Sequence, residues 1–381
     1  MNRILTTHVG SLPRSARVTE LIFAHELGSG VDALEFDTTM ADAVRTVVAR
    51  QVAAGIDLVS DGEQSKISYA TYIKDRITGF DGDSPRRVPQ DLEAFLTFMK
   101  RLAASGGSPQ YRRPRCVGPI ALKTLDPLHA DIKHFKSAIA ATPPTGTFMN
   151  AASPGVIALF QPNEYYPSHE AYLHALAEAM RPEYEAIVAA GFVLQLDSPD
   201  LGLGRHMMFK DKPESEYIGL ANQHVEALNT ALRNIPAERV RMHVCWGNYE
   251  GPHHCDVPMD IVLPIALRAK PQALLFESSN PRHAHEWTVF RDAKIPDDKI
   301  LVPGVLDSVT NFIEHPMLVA ERIERFANIV GRDRVIAGTD CGFSTFAGFG
   351  NVDAEIVYAK LGALAEGAAI ASKRLWGSGS Q

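Results

Sequence analysis

Eight short β-type runs separated by longer helical stretches constrain this chain more than any other feature. The runs fall at residues 6–10, 57–60, 147–151, 193–197, 240–245, 273–277, 301–307 and 335–341. Between them, 40–54, 170–190, 217–233, 318–330 and 354–371 place apolar side chains three and four apart, the spacing of an amphipathic helix. Strands that alternate with helices pair in parallel, because a parallel pair needs a long crossover. Eight such units predict an α/β fold closed as a (β/α)8 TIM barrel rather than an open sheet. No G-x-G-x-x-G opens a βα turn, so a dinucleotide-binding sheet loses its main support.

One stretch breaks the alternation. Residues 79–145 carry Pro, Gly and Arg clusters (84–87, 105–109, 112–115) with helical patches, and are expected to form an insertion after the second strand, with a hairpin or edge strand near 116–122. The expected organisation is one barrel over 1–376 and a flexible tail over 377–381. With 45% hydrophobic and 22% charged residues, the chain has material for a large core and is not disordered. The net charge is 38 − 45 = −7 and the basic residues are scattered, which speaks against a nucleic-acid partner. No run of 18 apolar residues occurs and the start lacks a signal-peptide core, so no membrane partner and a cytoplasmic location are expected. Self-association is left open. Four cysteines (Cys116, Cys245, Cys255, Cys341) are too few for a disulfide scaffold, leaving free thiols or metal ligands.

In a barrel the strand ends meet at one mouth, and here most of them end in polar or metal-binding residues. His243 and Cys245 stand two apart on one strand and leave the same face. Glu277 ends the next strand and Cys341 the last. Imidazole, thiolate and carboxylate together suit Zn²⁺, which takes mixed N, S and O ligands in a tetrahedral shell. Alone, the His-x-Cys pair would fit a barrel core equally well. A carboxylate buried beside two thiols, however, is costly without a cation. Cys255, after His253 and His254, is an alternative ligand.

The segments Thr7-His8-Val9-Gly10-Ser11-Leu12-Pro13-Arg14, Ser60-Asp61-Gly62-Glu63, Gln195-Leu196-Asp197-Ser198-Pro199, His243-Val244-Cys245, Glu277 and Gly338-Thr339-Asp340-Cys341-Gly342 occur in an order that resembles the catalytic half of cobalamin-independent methionine synthase. The resemblance covers most of the chain and is weakest in the insertion. It implies a (β/α)8 barrel and a Zn²⁺ held by His243, Cys245, Glu277 and Cys341, with Ser11, Glu63 and Asp197 contacting the substrate amino acid. Full-length folate-dependent members are about twice as long, so the chain is similar instead to single-barrel members, among them epoxyalkane:coenzyme M transferase. The loop 246–254 departs from the methionine-synthase pattern.

The implied activity is zinc-dependent S-alkylation of a small thiol, methyl transfer to homocysteine first and epoxide opening by coenzyme M as the alternative. Either reaction uses an acid, for which His283 and Asp307 are the foremost candidates, with Tyr165, Tyr166, His253 and His254 behind them. A sulfonate would call for Arg14, Arg282 or Lys66, whereas an ammonium would pair with Glu63 and Asp197. A uroporphyrinogen-decarboxylase-like barrel and a noncatalytic carrier of folate or corrinoid are the readings from other classes.

Overall fold

The computed structural model describes residues 2–85, 87–104 and 112–377. Ten strands form in chain order: β1 Leu5–Thr6, β2 Leu58–Val59, β3 Phe80–Asp81, β4 Arg115–Cys116, β5 Gly146–Ala152, β6 Val193–Asp197, β7 Val240–Val244, β8 Ala273–Phe276, β9 Ile300–Leu306 and β10 Ile336–Thr339. Eight of them make one parallel sheet in the order β1-β10-β9-β8-β7-β6-β5-β2, the expected (β/α)8 barrel, with β3 and β4 as a separate antiparallel pair. All eight expected runs supply a barrel strand. The first is shorter than expected because the chain leaves the ladder after Thr6 and reaches Gly10 at φ 149°, where a Cβ would overlap the Asn150 amide.

The sheet is not hydrogen-bonded between its first and last members, β1 and β2. Side chains bridge that seam. The Asp57 carboxylate accepts from the Thr6 N–H at 3.0 Å and is gripped by both terminal nitrogens of Arg3 at 2.6 Å, while Thr7 Oγ1 donates to Leu58 O. Burial works against the Asp57 charge, but these donors hold its carboxyl below the ordinary value. Asp57→Ala is expected to lower unfolding stability by about 2–3 kcal/mol, the scale of a lost charge-assisted hydrogen-bond set, in urea titrations at pH 7.

Helices cover the sheet. Those at Ala33–Ala53, His169–Ala189, Glu214–Ala231, Pro316–Val330 and Ala354–Gly377 lie where the periodicity placed them. Shorter ones at Pro154–Phe160, Met259–Ala266 and Trp287–Asp292 were not legible, since a run of two turns shows too little period. The first of these is also buried on nearly every side. Among the described residues no helix is long and apolar enough to cross a membrane.

The 79–145 stretch divides in two. Helix Asp126–Ala141 packs on Ala33–Ala53 and is the regular crossover helix leading to β5. The true excursion precedes it: the β3–β4 pair, where the edge strand was expected, and short helices Gln90–Glu93 and Leu96–Ala104. Residues 105–109 and most of the expected tail, 378–381, lie outside the described residues.

Candidate active site at the barrel mouth

Strand register sets the first contacts. Asp197 pairs with His243 across β6 and β7, and Val244 with Phe276 across β7 and β8, so the next step brings Cys245 alongside Glu277. One ligand atom from each of His243, Cys245 and Cys341 lies within 4.8 Å of the others, and the two Sγ atoms are 3.6 Å apart. All three residues are buried. Neither His243 ring nitrogen has a hydrogen-bond partner, and burial with the Arg241 charge behind it pushes the imidazole down to about 3, leaving it neutral. The Cys245 thiol is pushed far up by its contact with Cys341, by burial and by the Glu277 charge.

Glu277, the fourth expected ligand, stands beside this trio but is not one of the three atoms that converge. Its Oε1 accepts from the Trp246 N–H at 2.8 Å and its Oε2 from the Asn280 amide at 2.7 Å. The loop that carries it hangs from Asp340, whose carboxylate accepts the N–H groups of Ser278, Ser279 and Asn280 at 2.8–2.9 Å. Gly304 makes room for that carboxylate, since a Cβ there would overlap it. Cys255, the alternative ligand, is half-exposed and outside the trio.

Ser11, Glu63 and Asp197 line the same cavity as the trio, a space of about 240 Å³. Two of them present bare oxygens. Glu63 Oε2 and Asp197 Oδ1 are buried without a partner, although Asp197 Oδ2 accepts from Asn150 at 3.2 Å. Burial, then the charge of Glu63, pushes Asp197 up to about 8, and burial raises Glu63 despite Lys66 and Arg14 nearby. Glu63 sits at φ 53°, a strained backbone for a non-glycine residue, held by its N–H on Asp61 Oδ1 at 3.0 Å. Gly342 fits against Ser11 because it lacks a Cβ, and Ser11 Oγ accepts from the Ser344 N–H.

The cationic residues expected at the mouth are mostly occupied. Arg14 donates to Ser344 O and to the Glu63 and Lys66 carbonyls, and Lys66 donates to Asn150 O at 2.7 Å. Arg282 reaches a second cavity of about 360 Å³, which Glu277, Asp307, Asp340 and Cys341 also line.

His283 lies elsewhere than expected for an acid. It is 2% exposed and lines neither cavity, and its Nδ1 and Nε2 face Glu286 at 2.7 Å and Asp256 at 2.9 Å. Among the other candidates, His253 engages Asp256 and the Tyr249 carbonyl, Tyr166 accepts from the Ile120 N–H, Tyr165 is half-exposed and His254 packs edge-on against Phe95. Asp307 faces the second cavity and accepts from the Val309 N–H and Thr310 Oγ1.

Asp256 gathers His206, His253 and His283 on one carboxylate. Burial opposes its charge, but the three histidines hold its carboxyl well below the usual range. Burial likewise pulls His253 and His283 down, yet the carboxylates win and push them up to about 9 and about 10. With folded values above the unfolded value of about 6.5, their stabilisation is complete below that pH and lost as pH rises through 9 to 10. Melting temperature is therefore expected to fall between pH 7 and 10, with a smaller fall in Asp256→Asn. An identical pH profile in the variant would contradict the assignment.

Sequence reading missed Asn150, Asn248 and the insertion's arginines. Asn248 ties Gly342 O to the mouth at 2.6 Å and accepts from Ser308 Oγ at 3.0 Å. Arg87 and Arg113 line the first cavity. Arg113 stood in a cluster that was visible but had no strand end to attach it to the site.

Fold and site together define a (β/α)8 barrel with a buried imidazole–dithiol centre at its mouth. No family model matches the chain. It is 26% identical over 376 residues to methionine synthase of Saccharolobus solfataricus, covering 97% of this chain and 95% of that protein. It is 25% identical over 340 residues to methionine synthase of Sulfurisphaera tokodaii, covering 88% and 85%. The fold matches the structure of a B12-independent methionine synthase from Shewanella sp. W3-18-1 in complex with selenomethionine, at a TM-score of 0.73, 20% identity and 98% and 99% coverage. Over nearly its whole length the chain is thus similar to methionine synthases, in keeping with the resemblance of its motifs.

Proposed function

We propose that the protein is a zinc-dependent thiol S-alkyltransferase that methylates homocysteine or a close analogue. The observation that carries this reading is the buried trio His243, Cys245 and Cys341 beside two partnerless carboxylate oxygens in one cavity. Relatives along nearly the full length are named methionine synthase, which supports it.

The donor set fits a zinc ion. A neutral imidazole with both nitrogens free, and two thiols in contact, are the ligands zinc prefers, and they otherwise leave buried polar atoms unsatisfied. His243, Cys245 and Cys341 would hold the ion, with Glu277 beside them as the fourth ligand. Zinc when bound supplies the positive charge that lowers the pKa of a substrate thiol to neutral pH.

The chain's own residues place the substrate. Asp197 Oδ1 and Glu63 Oε2 take the ammonium group, and the Ser11 hydroxyl, whose oxygen already accepts from Ser344, has its proton free for the carboxylate. This orientation points the sulfur toward the Cys245–Cys341 pair. A new carbon–sulfur bond then forms as the donor's bond to its methyl group breaks, and the electron pair leaves with the donor. Cys341 lines both cavities, so the protonation is assigned to Asp307 on the second of them, while His283 positions the loop through Glu286 and Asp256.

The test is metal analysis followed by a screen of thiols against methyl donors and epoxides. About one zinc per chain and methionine formation are expected. Stoichiometric zinc with no thiol alkylated by any donor would revive the noncatalytic reading, and a metal-free active enzyme would overturn the proposal. Calorimetry of homocysteine binding in two buffers of different ionisation enthalpy is expected to report release of about one proton per thiol bound. Absence of buffer dependence would place the thiol away from the metal.

A further inference from the structure

The insertion closes one wall of the first cavity, and that wall carries a cation with nothing to pair with. Arg113 Nε and Nη1 are buried from solvent and have no hydrogen-bond partner. No carboxylate among the described residues pairs with its guanidinium, although the neighbouring arginines are both paired. Arg112 meets Asp81 at 3.0 Å and Arg115 meets Glu164 at 3.0 Å. Asp83 is also at hand, yet it takes the Arg113 backbone N–H at 2.9 Å. Arg87, more open to solvent, lines the same cavity, again without an acidic partner among the described residues.

A guanidinium with two of its three nitrogens withdrawn from water and no counter-charge is unfavourable, and an incoming anion removes that cost. The rest of the cavity says what body the anion rides on. Much of the remaining lining is apolar, including Leu92, Leu159, Phe160, Phe346 and Phe349. The barrel-mouth wall bears the opposite sign, with the bare oxygens of Glu63 and Asp197. A small zwitterionic thiol has partners on that wall already. The cation on the insertion wall is left for a second, larger molecule.

We propose that Arg113, assisted by Arg87, is an anion-recognition subsite for the alkyl donor, which carries a carboxylate, phosphate or sulfonate on an apolar body. The donor half of this statement rests on the alkyl-transfer reading; the anion subsite itself does not.

The zinc-loaded full chain is titrated with 8-anilinonaphthalene-1-sulfonate, an anion on an aromatic body, and with neutral N-phenyl-1-naphthylamine. Arg113→Gln is expected to weaken the sulfonate probe about tenfold and the neutral probe less than about twofold, the size of one lost charge-assisted contact. Arg113→Lys keeps part of the affinity, and Arg112→Gln, on a surface ion pair, leaves both probes unchanged. Equal weakening of both probes, or an unchanged sulfonate probe, overturns the subsite. Calorimetry with homocysteine separates the sources of the anion: unchanged affinity in Arg113→Gln supports the donor, while a tenfold loss gives the arginine to the amino-acid carboxylate and overturns the donor assignment. None of these readouts uses turnover, so a chain that alkylates no thiol still decides the subsite.

Discussion

Cys341→Ala is expected to lose more than about 100-fold in zinc affinity and with it all measurable alkyl transfer. Changes to partners that only touch a metal ligand already cost about 10- to 100-fold, and a ligand itself contributes more. Cys341 contacts Cys245 at 3.6 Å and both cluster with His243, so Cys245→Ala and His243→Ala are expected to behave alike. The control is Cys116→Ala. That thiol is also buried but bonds Gly118 O just past β4, outside the trio, and its loss is expected to leave metal content unchanged. Zinc measured by mass spectrometry after dialysis checks all four variants. Full occupancy in Cys341→Ala would sink the ligand assignment. Glu277→Gln discriminates further: because the carboxylate already serves Trp246 and Asn280, a modest loss of metal marks a positioning role and a complete loss marks a fourth ligand.

The convergence of His243, Cys245 and Cys341 was legible because they stand on or just past the ends of regular strands. His243 and Cys245 are two residues apart in a strand whose period is two, and Cys341 follows the end of β10, so topology alone brings them to one mouth. What could not be read was the state of each polar group. Arg14 and His283 had the right residue type and neighbourhood, yet the fold occupies one with backbone carbonyls and the other with two carboxylates. Arg113 had no motif around it, and only the folded insertion brings it to the cavity. Long-range hydrogen bonding, as between Asp340 and the loop after β8 some sixty residues earlier, is set by tertiary packing and leaves no local pattern.

Asp197→Asn separates the two thiols the site could serve. Asp197 Oδ1 is buried and partnerless, and its other oxygen is held by Asn150 at 3.2 Å. An asparagine keeps the Asn150 contact through its carbonyl and turns its NH₂ toward the position where an ammonium would sit. For homocysteine this removes a charge-assisted acceptor and adds a clash of donors, so binding is expected to weaken by about 1.5–3 kcal/mol, or roughly 10- to 150-fold. Coenzyme M has a sulfonate and no amine, and beside it Asp197, already pushed up to about 8, stays protonated, so the change removes nothing a sulfonate relies on. Its binding is expected to stay level or improve, and the cations left to receive it are Arg113 and Arg282 rather than Arg14, whose donors are already committed. Thiol affinity measured by calorimetry on zinc-loaded wild type and variant reads the sign directly, with zinc content as the folding control. Weakened homocysteine binding with indifference to coenzyme M eliminates the epoxide reading. Unchanged homocysteine binding with tighter coenzyme M binding, both here and in Glu63→Gln, eliminates the methionine-synthase one, because Asp197 and Glu63 alone among the described cavity residues present buried, partnerless carboxylate oxygens to hold the ammonium.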